Sequence, residues 1–331
     1  MLDNSPHVQA SWFSEGRKTG QLAFTFFLRR INGLIMNTPF TVAHSPDPDD
    51  AFMYYGLAKE LVTLPNYTIQ HRVEEIHALN QLALQGVDEV TAISAAAYPL
   101  VADKYRIMTV GASVGRGYGP IVVAPQVLDL QGQRIAVPGR TTTARLLSQL
   151  LLPPFEEVEI PFDQIFEAIK AGEVAAGVLI HEGQLTYPEY GMVKIADLAE
   201  IWKTETGYPI PLGLDVIARR LPETVAVQFS EVLAESILLA YEQLEDSTAY
   251  AREFGRGISA QLNKQFVQMY VNMDTLDFGE DCQRSLELLY QRAFAKGLLE
   301  RIPVLDFVAP QRVEVIQRIR DFKESSVYEV S

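Results

Sequence analysis

The chain has 331 residues, 48% of them apolar, and a formal net charge of −14. That length suits two domains of ordinary size, and the acidic balance argues against nucleic acid and anionic membrane surfaces, which need basic patches. A single cysteine, Cys282, excludes an internal disulfide and a thiolate metal cluster and suits a reducing cytoplasm.

Residues 1–35 fit no element. The apolar run 22–28 is short, with Glu15, Arg17 and Lys18 before it and Arg29 and Arg30 after it. It lacks the longer apolar core and small-residue cleavage site of a signal peptide. Met36 opens a natural start for a first strand, so 1–35 is expected to be a disordered extension or an artefact of start-codon choice. No uninterrupted apolar stretch reaches the roughly 18 residues that span a bilayer, and no membrane partner is expected.

From Phe40 onward, β-rich runs alternate with helical patterns, the mark of an α/β architecture with parallel strands. The first series reads as a strand over 40–43, a turn over 46–50 and a helix over 51–62. A strand over 68–73, a helix over 76–84 and a strand over 89–93 ending on Ser94 follow. Then come a helical 95–102, an extended 107–112, a glycine-rich loop over 115–120 and a strand over 121–124. The pattern restarts with a strand over 134–137, a loop over 138–143 and a helix over 144–151. A strand over 157–160, a helix over 162–171 and a strand over 176–180 complete it, before a Pro/Gly-rich passage over 207–213 and an extended 214–219. The remainder is helical. Phe229, Leu233, Ile237, Tyr241 and Leu244 form one stripe at helical spacing and Leu286, Leu289 and Phe294 another, both read as core packing.

Two β/α series joined by two passages predict a two-lobed protein. Lobe one takes residues 36–122 and 213–331, and lobe two takes 123–212. A cleft between them is the natural ligand site, and hinge closure its natural motion.

Four segments can bring chemistry to that cleft. Ser45-Pro46-Asp47-Pro48-Asp49-Asp50 follows the first strand. It reads equally as a well-built helix start and as a turn presenting Ser45 and free backbone N–H groups to the cleft. Its three aspartates match no calcium loop, and Pro46 and Pro48 restrict the backbone, so no metal is expected. Gly115-Arg116-Gly117-Tyr118-Gly119-Pro120 lacks the Gly-Lys-Ser/Thr of a phosphate loop and reads as a flexible or tight loop near the first crossover. Pro138-Gly139-Arg140-Thr141-Thr142-Thr143-Ala144 sets hydroxyls and N–H groups at a helix N-terminus, an anion site. The plainer alternative is that Thr142 or Thr143 only caps the helix. Ser94, across the cleft, can join it in holding a carboxylate.

His181-Glu182 ends an apolar strand, and strand ends are where ligands bind in open α/β sheets. The chain has five histidines. A satisfied core or loop histidine is the plain reading of one of them, and a general base near neutral pH is the functional one. With no Gly-x-Ser-x-Gly, and with Cys282 far along the chain, no nucleophile motif accompanies it. A lone His-Glu is poor evidence for zinc. Acid–base chemistry on a small molecule remains.

These segments together resemble the 1,4-dihydroxy-6-naphthoate synthases of the futalosine route to menaquinone, from about Phe40 to about Leu299. The resemblance is carried by Ser45-Pro46 with Pro48 and Asp50, by Leu79-Asn80, and by Thr91 with Ser94 and Tyr98. It continues through Gly115-Arg116-Gly117 with Gly119-Pro120, and Val137-Pro138-Gly139-Arg140 with Thr142-Thr143-Ala144. Ile180-His181-Glu182 with Thr186-Tyr187-Pro188 is its most distinctive piece. Pro211-Leu212-Gly213, and Tyr270-Val271-Asn272 with Asp277 and Gly279, extend it into the last third.

The resemblance implies the two-lobed fold of type 2 periplasmic solute-binding proteins, used by a cytoplasmic enzyme. It implies a lyase that opens cyclic dehypoxanthine futalosine, releases the sugar-derived fragment and leaves the aromatic dihydroxynaphthoate, with no redox or metal cofactor. It puts the general base on His181 and substrate contacts on Asn80, Ser94 and Thr143, with Thr142 adjacent. The chain departs from the family at Asp47 and Asp49, where members commonly read Ser-Pro-Cys-Pro-Asn-Asp. Two added carboxyl groups repel an anionic substrate unless they point outward or are hydrogen-bonded. A chorismate dehydratase, the sister enzyme of the pathway, shares the fold but matches these motifs less well. The rival class is a solute-binding protein of a transporter. Against it stand the missing secretory signal, the missing lipoprotein cysteine and the cleft histidine.

Overall fold

A computed structural model of the chain describes residues 37–325 with the exception of Arg256, so the expectation for residues 1–35 lies outside the described residues. The described chain builds two mixed sheets. The first holds β1 (Thr38–His44), β2 (Tyr67–Val73), β3 (Val90–Ser94), β4 (Tyr105–Met108), β5 (Ser113–Gly115), β11 (Ile210–Ala218) and β12 (Phe307–Val308). The second holds β6 (Ile121–Ala124), β7 (Arg134–Val137), β8 (Glu156–Glu159), β9 (Ala176–Leu179) and β10 (Val193–Asp197), in the order β10-β6-β9-β7-β8. The chain therefore crosses to the second sheet after Gly115 and is back in the first at Ile210.

The expectation of parallel strands holds for each β/α series, since β1 pairs in parallel with β2 and β3, and β7 with β8 and β9. The strands at the two passages are antiparallel. β6 runs against β9 and β10, and β11 runs against β3, β4 and β5. A strand that carries the chain between lobes has no crossover helix, and without one antiparallel pairing is the accessible choice.

Other departures follow from proline and glycine. The helix expected over 51–62 starts earlier, at Pro48, and is broken at Tyr54 into Pro48–Met53 and Tyr55–Ala58. The passage expected as a Pro/Gly loop over 207–213 is strand from Ile210, and its pairing with β5 shifts register between Pro211 and Gly213. That irregularity is where a residue with no N–H is tolerated.

The first sheet is packed on one face by helices Pro48–Met53 and Glu223–Glu242, burying Phe40, Phe52, Phe229, Leu233 and Ile237. Helix Glu223–Glu242 is long and apolar enough to cross a bilayer, but most of it is buried in this core. The second expected stripe places Leu286 and Leu289 in the core that joins the lobes. Its last residue, Phe294, is exposed, as is Leu244 of the first stripe. Both sit at helix ends, where the stripe has run past the surface it covers. That joining core also contains Trp202, fully buried, whose indole N–H donates to Ser285 Oγ at 3.0 Å.

Candidate active site

Between the sheets lies a cleft of about 750 Å³, part of it open to solvent, and among the described residues no arginine or lysine lines it. Its first wall is the turn after β1. Asp47 occupies the N-cap position of helix Pro48–Met53, yet its side chain caps nothing. It instead accepts a hydrogen bond from Ser45 Oγ at 2.7 Å, while Asp50 Oδ2 accepts from the Ser45 backbone N–H at 2.6 Å. The turn thus folds on itself and sends Asp47 inward.

His181 follows β9 and Ile180 in a left-handed conformation, φ +54, which is costly for a residue with a β-carbon. The bend carries the imidazole back over the cleft, where its Nδ1 lies 3.1 Å from Asp47 Oδ2. Phe162 meets the ring edge-on at a centroid distance of 4.8 Å. The carboxylate beside the imidazole is Asp47, from the other lobe, while Glu182 stands at the N-cap of helix Gly183–Thr186.

The opposite wall is the start of helix Thr143–Leu151. Thr142 caps it, accepting from the Arg145 N–H at 3.3 Å and donating to the Gly139 carbonyl at 2.8 Å. Thr143 Oγ1 accepts from the Ala96 N–H at 3.1 Å and donates to the Leu212 carbonyl at 2.7 Å, so one hydroxyl ties helix, first sheet and Ala96 together. Ser94 lines the cleft between them. Asn80 does not; it is buried behind Ser94, accepting from its N–H at 2.9 Å and donating to its Oγ at 3.0 Å. Asn80 also donates to Thr141 across the lobes at 3.2 Å. A further crossing contact joins Tyr270 and Gln184, whose polar ends meet at 2.8 Å.

Carboxyl groups crowd one end of the cleft, Asp47, Asp49 and Asp50 from the turn and Asp215 from β11. Burial, then the charge of Asp47, raises Asp49 to about 6. Burial, then Asp49, holds Asp50 well above the ordinary carboxylate range. Burial raises Asp215 to about 7, although the Tyr54 hydroxyl donates to it at 2.6 Å. Carboxyl groups this close and this dry cannot all be ionised together. Beneath them His44 stacks on Tyr54, and burial lowers it to about 4, so it is neutral near pH 7.

The cleft thus gathers Ser45, Ser94, Thr142, Thr143 and His181 from the residues expected in the site, with Asn80 one layer back. Asp47 and Asp49 both point inward; Asp47 is held by Ser45 and His181, while Asp49 has one long bond from Ser113 and burial favours its neutral form, which lessens the repulsion expected from them. Asp215, Tyr270, Gln184 and Ser113 also line the cleft and were not singled out in the sequence as site residues. Asp215 offered one signal, a lone acid inside an apolar β-pattern. The expected loop at 115–120 is pinned from outside, with Arg116 donating twice to Asp274 at 2.6 and 2.7 Å.

A family model described as menaquinone biosynthesis matches residues 40–295. A 1,4-dihydroxy-6-naphtoate synthase from Thermus thermophilus is 38% identical over 260 residues, covering 78% of this chain and 95% of that protein. Among solved structures, protein AF1704 from Archaeoglobus fulgidus is 47% identical with a TM-score of 0.76, covering 79% of this chain and 98% of that one. The periplasmic aliphatic sulphonate binding protein from Escherichia coli matches with a TM-score of 0.58 at 12% identity, covering 80% of this chain and 89% of that one. That likeness is one of fold, the two-lobed type 2 periplasmic-binding-protein architecture.

Proposed function

The chain belongs to the menaquinone biosynthesis family, and from that premise we propose that it is a cytoplasmic lyase converting cyclic dehypoxanthine futalosine to 1,4-dihydroxy-6-naphthoate. The observation that carries the reading is the His181 imidazole held over the cleft by Asp47 at 3.1 Å. An Nδ1–H turned to the carboxylate fixes the tautomer and leaves Nε2 as the basic nitrogen. His181 then removes a proton beside the substrate carbonyl, and Asp47 stabilises the imidazolium that results. Ring opening and loss of the sugar-derived fragment follow, driven by the gain of aromaticity. Proton transfer accomplishes these steps, so the reaction asks for no redox or metal cofactor.

Among the described residues the substrate carboxylate has no arginine or lysine to meet in the cleft. It is received by neutral donors, the Ser94 hydroxyl and the first-turn N–H groups of helix Thr143–Leu151, which have no intrahelical acceptor. Asn80 serves by holding Ser94 in place.

The test is incubation of the purified protein with cyclic dehypoxanthine futalosine, without added cofactor, followed by mass spectrometry. Dihydroxynaphthoate is the expected product. His181→Ala is expected to lower kcat by about 10²–10⁴, the usual share of a general base, with folding and ligand affinity kept. A fully active variant sinks the mechanism. Binding without turnover assigns the chemistry to a relative of the same fold.

A further inference from the structure

Asp49 is left over by the mechanism above, although it lines the same cleft. Its side chain is buried, 8% exposed. Its Oδ2 receives only a long hydrogen bond from Ser113 Oγ at 3.4 Å, and its Oδ1 meets no hydrogen-bond partner among the described residues. A buried carboxylate with an unsatisfied oxygen is strongly disfavoured, whereas a carboxylic acid in the same place needs only an acceptor. The protein provides none for Oδ1, and the cleft is where one can arrive.

We propose that Asp49 carries its proton when the cleft is occupied and donates a hydrogen bond from its free carboxyl oxygen to a carboxylate or carbonyl oxygen of the ligand. The inference rests on the reading of the cleft as the site of an anionic naphthoate-type ligand. It assigns Asp49 as a binding residue whose proton is taken up with the ligand.

Burial and the neighbouring carboxyl groups favour the neutral form. Asp47 and Asp50 flank Asp49 in its own turn, and Asp215 faces it from β11. His181 opposes them but is already engaged by Asp47, and the backbone N–H groups of Asp49 and Asp50 oppose them more weakly. Tyr270 faces Asp49 from helix Ala260–Tyr270, and burial raises its own titration beyond the neutral range. The other helices packed on the turn bring no cation to it. Glu231 and Glu235 of helix Glu223–Glu242 hold Arg312. Glu242, Glu245, Asp246, Arg252 and Lys264 are exposed. An arriving anion adds to the negative field and drives the proton on further.

The experiment is calorimetric titration of wild-type protein and Asp49→Asn with 1,4-dihydroxy-6-naphthoate across about pH 5 to 8, the range through which a buried carboxyl of this kind titrates. Wild-type affinity is expected to fall as pH rises, approaching tenfold per pH unit for one linked proton. Asparagine is a permanent neutral donor of similar shape, so Asp49→Asn should bind with that one-proton dependence removed. Asp215, His44, Asp47 and His181 are present in both proteins, so the difference between the two profiles belongs to Asp49. Equal slopes in the two proteins overturn the proposal and leave the ligand reading intact. If neither protein binds, the ligand reading fails, and ligand-free infrared spectra then decide on Asp49. A carboxylic-acid band at acid pH that vanishes in Asp49→Asn retains the neutral acid for a different anion, and no such band overturns it.

Discussion

His181 Nδ1 lies 3.1 Å from Asp47 Oδ2, and the two residues come from different lobes. In the proposed mechanism the base is therefore complete only while the two walls are in contact, because the group that orients it belongs to the opposite wall. Asp47→Asn keeps the shape of the side chain but removes its charge and allows the imidazole the wrong tautomer. It is expected to lower kcat by about 10²-fold, the lower end of what a general base contributes, with KM changed much less. Steady-state kinetics separate the two. Equal losses in kcat and in ligand affinity would assign Asp47 to binding.

Thr143 Oγ1 bridges the Ala96 N–H and the Leu212 carbonyl. Thr143→Val preserves the volume and strands both groups inside the protein. Each unmade buried bond costs about 1–3 kcal/mol, so urea unfolding should show a loss of that order or somewhat more. Hydrogen exchange should rise at Ala96 first, since its N–H loses its acceptor. An unchanged exchange rate there would mean that the bridge contributes nothing to holding the lobes together.

Much of this was legible in the sequence because it is periodic or local. The β/α alternation gave the two sheets, and the strand ending on His181 placed an imidazole at a sheet edge. What the local pattern left open has physical causes. Asp47 fits a cap position because capping depends only on neighbours, whereas its partner His181 lies 134 positions further along the chain, at residue 181 as against residue 47. Asn80 looked like a ligand contact, and only the packing of helix Ile76–Gln85 against β3 turns it toward Ser94. Asp215 and Tyr54 are brought together from positions far apart by β11 returning beside β3, a pairing no local pattern encodes.

Asp215 makes stability depend on pH in a direction opposite to the usual carboxylate. Its folded-state value of about 7 lies above the ordinary 3.8, so the folded protein holds the proton more tightly than the unfolded chain. Its contribution is full below about pH 4 and is lost as pH rises toward 7. His44 runs the other way. Lowered to about 4, it favours the folded state above its ordinary 6.5 and loses that contribution as pH falls. The wild-type profile mixes these two with the raised Asp49 and Asp50, so the informative quantity is its difference from Asp215→Asn. The amide stays neutral and can still accept from Tyr54. Thermal midpoints of the variant should gain on wild type steadily between about pH 5 and pH 8, the window of a carboxyl raised in this way. A constant offset across that window would show that Asp215 does not titrate there.

Gly111 and Gly172 both have positive φ, +97 and +72 respectively, and so share the backbone cost of a side chain. Their surroundings differ. A β-carbon at Gly111 would fall 2.2 Å from Asp215 Oδ2, while one at Gly172 meets nothing within 4 Å. Gly172→Ala should therefore cost only the left-handed strain, about 1–2 kcal/mol. Gly111→Ala must also displace a buried carboxyl held by Tyr54 on the cleft wall, and its cost should exceed that of Gly172→Ala by a further 1–3 kcal/mol or so, the penalty of unmaking a buried hydrogen bond. Urea midpoints give the comparison directly, and naphthoate affinity should fall in Gly111→Ala alone. Equal unfolding costs would mean that Asp215 moves aside freely, and that the carboxyl cluster at this end of the cleft is softer than its packing indicates.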